Sequence, residues 1–435
     1  MPESAQNKLN QQNIQGLREL IGWNIRNALL GEVYATPKPG LVDRHDTGAH
    51  RDMNFETFLR STEAITPYMT DMFLLGLTGD FPKEAFLNSE QFTLLAQSNR
   101  NAKYLVETLD QIPGFDPTME YTDGEKIFLK SRVIGMQAEK AMFEATNDVN
   151  THKGMIFTMG IVLASMGMYV AENRNEIDRT ELKKGRDSGN YVDGSNSCSK
   201  DDQDSEIKRS ALKENESYEI VRQILATTKN MTCQILKKEF SEMEKRPAKT
   251  HGEKLYAKYH ELGIRGQAME GFPIIGETAY PAMEAFNQMT REKAARHGTV
   301  REELFSVRQL QASELSAFDS AQHIQDLKQS TKLSNRHFHA SEQFENARNI
   351  TVLLSIMAVL NDTNVLTRGT RDDLCWLQEA SKEALQLGGA FTEEGIRMIE
   401  DMNRHCIERN LSPGGAADIL AVTILLFKIL KEQPI

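Results

Sequence analysis

The first dense constellation of reactive side chains is TPKPGLVDRHDTGAHRDM, residues 36–53. Two prolines flanking Lys38 stiffen an extended turn, and Gly40 admits backbone angles closed to other residues. One loop thus offers Lys38, Asp43, Arg44, His50 and Asp52 together, a set suited to proton transfer and anion binding. The plainer reading is a solvated connection between helices.

Three further blocks carry comparable chemistry. NTHKG, residues 150–154, stands at the mouth of an apolar helix expected to begin near Met155, where backbone N–H groups, His152 and Lys153 would favour an anion. A surface cap with two incidental basic residues fits it equally. THGEKLYAKYHELGIRGQAMEGFP, residues 250–273, separates Glu253 from Arg265 by a helix and is broken by repeated glycines; with no strand before it, it is not a dinucleotide-binding fingerprint. NDTNVLTRGT, residues 361–370, supplies Asp362, Asn364 and Arg368, oxygen donors for a hard cation or the material of an Asx turn.

The elements that must position these groups are helices. No proline occurs in the 129 residues between Pro117 and Pro247 or in the 131 between Pro281 and Pro413. An interior proline costs a helix about 3 kcal/mol, and both stretches are rich in helix-favouring residues. Leu17, Leu20, Ile21, Ile25, Ala28 and Leu29 share one helical stripe, as do Phe344, Ala347, Thr351, Leu354 and Ala358. SPGGAADILAVTILL places Ser412 as N-cap and Pro413 as first residue of a closing helix, with Asp418 about one turn in. The expected fold is all-α, a single multi-helix domain over residues 1–435. A polar, mobile loop is expected at 183–205, and an added helical segment at 287–341.

Composition narrows the function classes. With 51 Lys and Arg against 62 Asp and Glu, the formal charge of −11 argues against a broad nucleic-acid-binding face, so an anionic ligand needs local cations or metal. Four scattered cysteines without a CxxC pair indicate neither a zinc knuckle nor a disulfide framework. The polar first residues lack signal-peptide character, and the apolar runs 155–170 and 416–427 fall short of a membrane span, so a cytoplasmic protein without membrane attachment is expected.

In order along the chain, TPKPGLVDR with GAHRDM, NTHKG, THGE with GIRG and GFP, DTN with RG, and RNLSPGGAADILAVT resemble the blocks of the triphosphoribosyl-dephospho-coenzyme A synthase family, over about residues 24–426. Two features depart from that pattern. The segments 183–205 and 287–341 look like additions, and Gln267 stands where a glutamate is expected after GIRG.

The resemblance implies an all-helical enzyme that moves the 5-triphosphoribosyl group of ATP to 3′-dephospho-coenzyme A with loss of adenine. It also implies a prosthetic-group precursor as product, for a prosthetic-group transferase and an acyl carrier protein of citrate lyase or malonate decarboxylase. Homo-oligomerisation stays open. Glycosyl transfer through an oxocarbenium-like state needs a carboxylate near the sugar, a base for the hydroxyl and a proton donor for adenine. By the resemblance, Asp43, Asp52 and Glu253 are catalytic candidates, with His50 and His152 as proton carriers. Lys38, Arg44, Lys153, Arg265 and Arg368 are candidates for phosphate, and Glu32, Asp362 and Asp418 for magnesium. Which carboxylate is the base stays open at this level. Competing readings are a metal-dependent helical nucleotide phosphohydrolase and an inactive helical adaptor.

Overall fold

A computed structural model describes residues 3–82, 112, 114–187, 200–248, 251–296 and 338–432. Among these there is no strand, and thirteen α-helices carry the chain. They are α1 (Glu3–Tyr34), α2 (Phe55–Thr78), α3 (Asp123–Thr146), α4 (Lys153–Asp187), α5 (Lys200–Glu244), α6 (His251–Tyr259) and α7 (Gly263–Met269), then α8 (Tyr280–Arg296), α9 (Phe338–Met357), α10 (Thr363–Arg368), α11 (Arg371–Gln386), α12 (Glu393–Glu408) and α13 (Gly414–Phe427).

Local chemistry fixes several helix ends. Reciprocal capping boxes open α2 (Asn54 with Thr57), α3 (Thr122 with Glu125) and α11 (Thr370 with Asp373), and Gly79 in a left-handed conformation closes α2. Proline is not always punctuation here, because Pro67 lies inside α2.

Helix α4 packs on α2, α3, α5 and α13, and α2 meets it backbone to backbone. A Cβ on Gly76 would stand 1.9 Å from the Ala164 carbonyl oxygen, and one on Gly167 2.1 Å from that of Phe73. Only glycine fits at either crossing point. The α4 segment Lys153–Asn173 is long and apolar enough to span a membrane, which exceeds the sequence expectation, but two-thirds of its most apolar stretch is buried among neighbouring helices. It is a core helix by packing.

Ile21, Ile25, Ala28 and Leu29 of the first stripe are buried as expected. The second stripe widens: Ile350, Val352, Leu353 and Ile356 are also fully buried, since α9 is packed by α8, α11 and α13 on different sides. Helix α13 begins at Gly414, one residue later than expected, with Pro413 as an N-cap that supplies no side-chain hydrogen bond. Ser412 is not the cap. Its hydroxyl faces His50.

Of the expected loop at 183–205, residues 183–187 close α4 and residues 200–205 open α5, while 188–199 lie outside the described residues. Of the segment 287–341, residues 287–296 end α8 and 338–341 open α9, and 297–337 lie outside the described residues.

Candidate active site

The chain leaves α1 at Tyr34 and enters the loop through a cis Thr36–Pro37 bond. Asp43, buried, draws this loop together. Its Oδ2 accepts from the Thr36 hydroxyl at 2.8 Å and the Lys38 N–H at 3.1 Å, and its Oδ1 accepts from the N–H groups of His45 at 2.7 Å and Asp46 at 3.1 Å. Four donors fill a carboxylate, so Asp43 holds the loop's shape instead of facing a substrate as expected.

Distant residues clamp the same loop. Asn346 on α9 accepts the Thr36 N–H at 2.8 Å and donates to the Thr36 carbonyl at 2.7 Å. Asn403 on α12 accepts the Gly40 N–H and donates to Asp46 Oδ2, each at 2.9 Å. Gly40 has φ +70°, and a Cβ there would lie 2.3 Å from the Leu411 carbonyl oxygen, so no other residue fits. Neither asparagine was visible as functional in the sequence, because each lies more than 300 residues from its partner and in no recognisable motif.

Lys38 turns inward. Its ammonium, 1% exposed, donates to the Glu32 carbonyl at 2.9 Å and to Glu32 Oε1 at 2.5 Å. Burial pushes the Glu32 carboxyl up, against the opposing pull of Lys38. His152 lies beside this pair, buried, with Nδ1 2.6 Å from the Ser61 hydroxyl and its ring edge-on to Phe58 at 5.0 Å. Desolvation, aided by the Lys38 charge, lowers the His152 pKa to about 3, so the imidazole is neutral at physiological pH.

Asp418 is the one ionisable residue of α13. Its Oδ2 occupies the space a Cβ on Gly154 would need, 2.1 Å away, so the carboxylate touches the first turn of α4. It is half-buried and accepts no hydrogen bond among the described residues. Desolvation raises its pKa well above the usual carboxylate range, reinforced by the charges of Asp362 and Glu32. Asp362, buried, accepts from the Asn364 N–H at 2.8 Å and the Ala416 N–H at 3.0 Å. Burial outweighs these donors and lifts it to about 6.

Glu32, Lys38, His152, Asp362 and Asp418 therefore form one electrostatic neighbourhood. The remaining candidates lie elsewhere or are engaged. Arg368 donates to the Ala49 carbonyl at 3.0 Å and to His50 Nδ1 at 3.1 Å, while His50 Nε2 faces the Ser412 hydroxyl at 2.8 Å. Desolvation and Arg368 hold His50 at about 4, so it too is neutral. Asp52 is exposed, 3.9 Å from His50. Arg44 pairs with Glu342 at 2.9 Å above the Tyr34 ring, and Lys153 pairs with Glu139 at 2.8 Å. Arg246 grips Glu253 through both oxygens at 2.7 and 3.0 Å, and Arg265 pairs with Glu239. Gln267 buries its Oε1 without a hydrogen-bond partner among the described residues.

A resident metal does not fit this donor set. Among the described residues no three His, Cys, Asp or Glu side chains are arranged to hold one. Glu32 is paired with Lys38, and Asp362 caps backbone N–H groups. What the site presents is one accessible carboxylate of raised basicity, with buried negative charge behind it.

The chain matches the family described as ATP:dephospho-CoA triphosphoribosyl transferase over residues 18–304 and 319–434. The match runs across 183–205 and is interrupted only at 305–318 within the second segment read as an addition. A Vibrio cholerae relative named "Probable 2-(5''-triphosphoribosyl)-3'-dephosphocoenzyme-A synthase" is 27% identical over 416 residues, 95% of this chain and 90% of its own. Relatives of the same name in Salmonella gallinarum and Streptococcus equi are each 26% identical, covering 92% and 93% of this chain and 88% and 95% of theirs. No solved structure matches. With both parts of the match reaching from α1 to α13, the chain belongs to the ATP:dephospho-CoA triphosphoribosyl transferase family.

Proposed function

We propose that this enzyme transfers the 5-triphosphoribosyl group of ATP to the 2′-hydroxyl of 3′-dephospho-coenzyme A, releasing adenine and giving 2′-(5″-triphosphoribosyl)-3′-dephospho-coenzyme A. The observation that carries this reading is the family match over nearly the whole chain. The glycosidic C–N bond of ATP breaks, a C–O bond to the acceptor forms, and the hydroxyl proton ends on the departing base.

Asp418 is the base in this reading. A general base works best with a pKa near the operating pH, and desolvation with two neighbouring carboxylates pushes Asp418 in that direction. The buried charge of Asp362 stabilises a ribose that turns cationic as adenine leaves, while that of Glu32 is balanced by Lys38. His152, neutral and fixed by Ser61, orients the acceptor side. Lys38 pairs with Glu32 at the back of the site and opposes the effect of burial on its carboxyl. Magnesium enters with the nucleotide, as the counter-ion of its triphosphate. We assign the enzyme to the cytoplasm and its product to the prosthetic group of an acyl carrier protein, in citrate lyase or malonate decarboxylase.

The test follows adenine and phosphate separately in a reaction of purified protein with ATP and dephospho-coenzyme A. Adenine formed one-for-one with acceptor consumed, without phosphate, is the expected result. Intact coenzyme A, whose 3′-phosphate adds about two negative charges beside the attacking oxygen, should be a poor acceptor. Phosphate as the main product would replace the synthase reading with a phosphohydrolase. Adenine release that ignores the acceptor would mean a nucleosidase, and untouched ATP an inactive adaptor.

A further inference from the structure

Away from the carboxylate neighbourhood, Glu239 on α5 is shared by two guanidinium groups. Arg132 from α3 reaches its Oε1 at 2.6 Å, and Arg265 from α7 reaches its Oε2. Each cation rests over an aromatic ring, Arg132 at 4.6 Å from the Phe128 centroid and Arg265 at 5.5 Å from that of Phe240. Both are partly exposed, Arg132 less than Arg265. Desolvation lowers the Arg132 pKa to about 10, and that of Arg265 falls through desolvation and then the charge of Arg132. The two cations therefore repel one another at close range.

One carboxylate cannot by itself balance two guanidiniums, and the other charges beside it among the described residues are the Lys238–Asp116 pair and Glu242 one turn along α5. Each guanidinium has five N–H donors in a fixed fork, and Glu239 offers a single oxygen to each. Packing on rings fixes the planes before any ligand arrives. This arrangement suits an oxyanion with several acceptor oxygens better than it suits Glu239 alone.

Its place in the fold connects it to the site. Helix α7 starts at Gly263, where a Cβ would lie 3.0 Å from Thr363 Cγ2, and Thr363 follows Asp362 in the chain. Arg265 stands two residues along α7 from that contact.

We propose that Arg132 and Arg265, held apart by Glu239, form an oxyanion fork for the phosphate chain of a nucleotide substrate whose ribose lies at the carboxylate neighbourhood. The fork is new in Arg132 and Glu239, and the identity of its ligand rests on the synthase reading. Both substrates of that reading carry a phosphate chain, the triphosphate of ATP and the diphosphate of dephospho-coenzyme A. Glu239 competes with the ligand, so its removal should act in the opposite sense to removal of either arginine.

The experiment measures calorimetric binding of inorganic tripolyphosphate to the full chain at fixed ionic strength, for wild type, Arg132→Gln, Arg265→Gln and Glu239→Gln, with a thermal melt of each. Loss of either arginine should weaken binding at least about fivefold, and Glu239→Gln should tighten it about threefold. Where an arginine variant melts early, Glu239→Gln, which keeps both cations, decides alone. Kinetics then assign the source: a KM raised about tenfold in Arg132→Gln for ATP marks its triphosphate, and for dephospho-coenzyme A its diphosphate. Tripolyphosphate binding that is the same in wild type and all folded variants overturns the fork. Arginine-dependent binding in a protein that forms no adenine would leave the fork standing and remove the synthase reading instead.

Discussion

The carboxylate of Asp362 accepts the backbone N–H of Ala416 at 3.0 Å, so the N-cap residue of α10 also caps a helix more than 50 positions further along the chain. Pro413 brings no side-chain cap to α13, and Asp362 takes over that task while facing Asp418 in the site. Gly415 permits the approach, since a Cβ there would lie 3.0 Å from Asp362 Oδ2.

Asp362→Ala removes the acceptor for the Ala416 and Asn364 N–H groups. A buried donor left unpaired costs about 1 to 3 kcal/mol, so urea unfolding should show a loss of at least that order. Asp362→Asn, which keeps one acceptor oxygen, should lose less. Equal unfolding midpoints for wild type and Asp362→Ala would contradict the capping role.

Asp418→Asn should separate catalysis from stability. The wild-type carboxylate is held against desolvation and two neighbouring negative charges, so its neutral replacement should melt no lower than wild type at pH 8. Turnover should nevertheless drop about 100-fold or more, the usual range for losing a general base. A variant with near-normal kcat would move the base elsewhere.

Lys38 and Glu32 should be coupled far more strongly than a surface pair. Lys38→Met strands Glu32 in the core, and breaking a buried ion pair typically costs about 3 to 5 kcal/mol. Adding Glu32→Gln should return much of that loss. A double-mutant cycle by chemical denaturation measures the coupling, and additive single effects would show that the pair is not a unit.

His152 gives a pH signature of known sign. Its folded pKa of about 3 lies below the unfolded value near 6.5, so between these limits the unfolded chain binds more protons and the stability His152 confers is lost as pH falls. Asp362, raised to about 6 from 3.8, contributes with the opposite sign below pH 6. The comparison to make is therefore wild type against His152→Asn. Any stability advantage of wild type should shrink by up to about 1.4 kcal/mol per pH unit between pH 6 and 4. An advantage independent of pH would mean that His152 is not held neutral.

Much of the architecture was legible in the sequence because proline spacing and the stripe around Ile21 and Ile25 are local signals. The site was legible in parts. Glu32, Lys38, His152, Asp362 and Asp418 do converge, but the tasks of the loop residues did not follow from their types. Asp43 looks reactive as a residue and is consumed by four donors, three of them backbone N–H groups that no motif displays. Lys38, a phosphate candidate by the resemblance, points inward to Glu32. Asn346 and Arg132 lay outside every motif. Their partners come from other parts of the chain, and only the packed helices bring them together.

Helix α13 has a consequence for how activity arises during synthesis. Glu32 and Lys38 leave the ribosome early, His152 later, Asp362 later still, and Asp418 comes on the last long helix described. Until that helix docks between α1, α4 and α9, its apolar surface is uncovered and Asp418 is not yet beside Glu32 and Asp362. A growing chain therefore cannot assemble the five-residue cluster piecemeal, and the cluster exists only once the hydrophobic core closes.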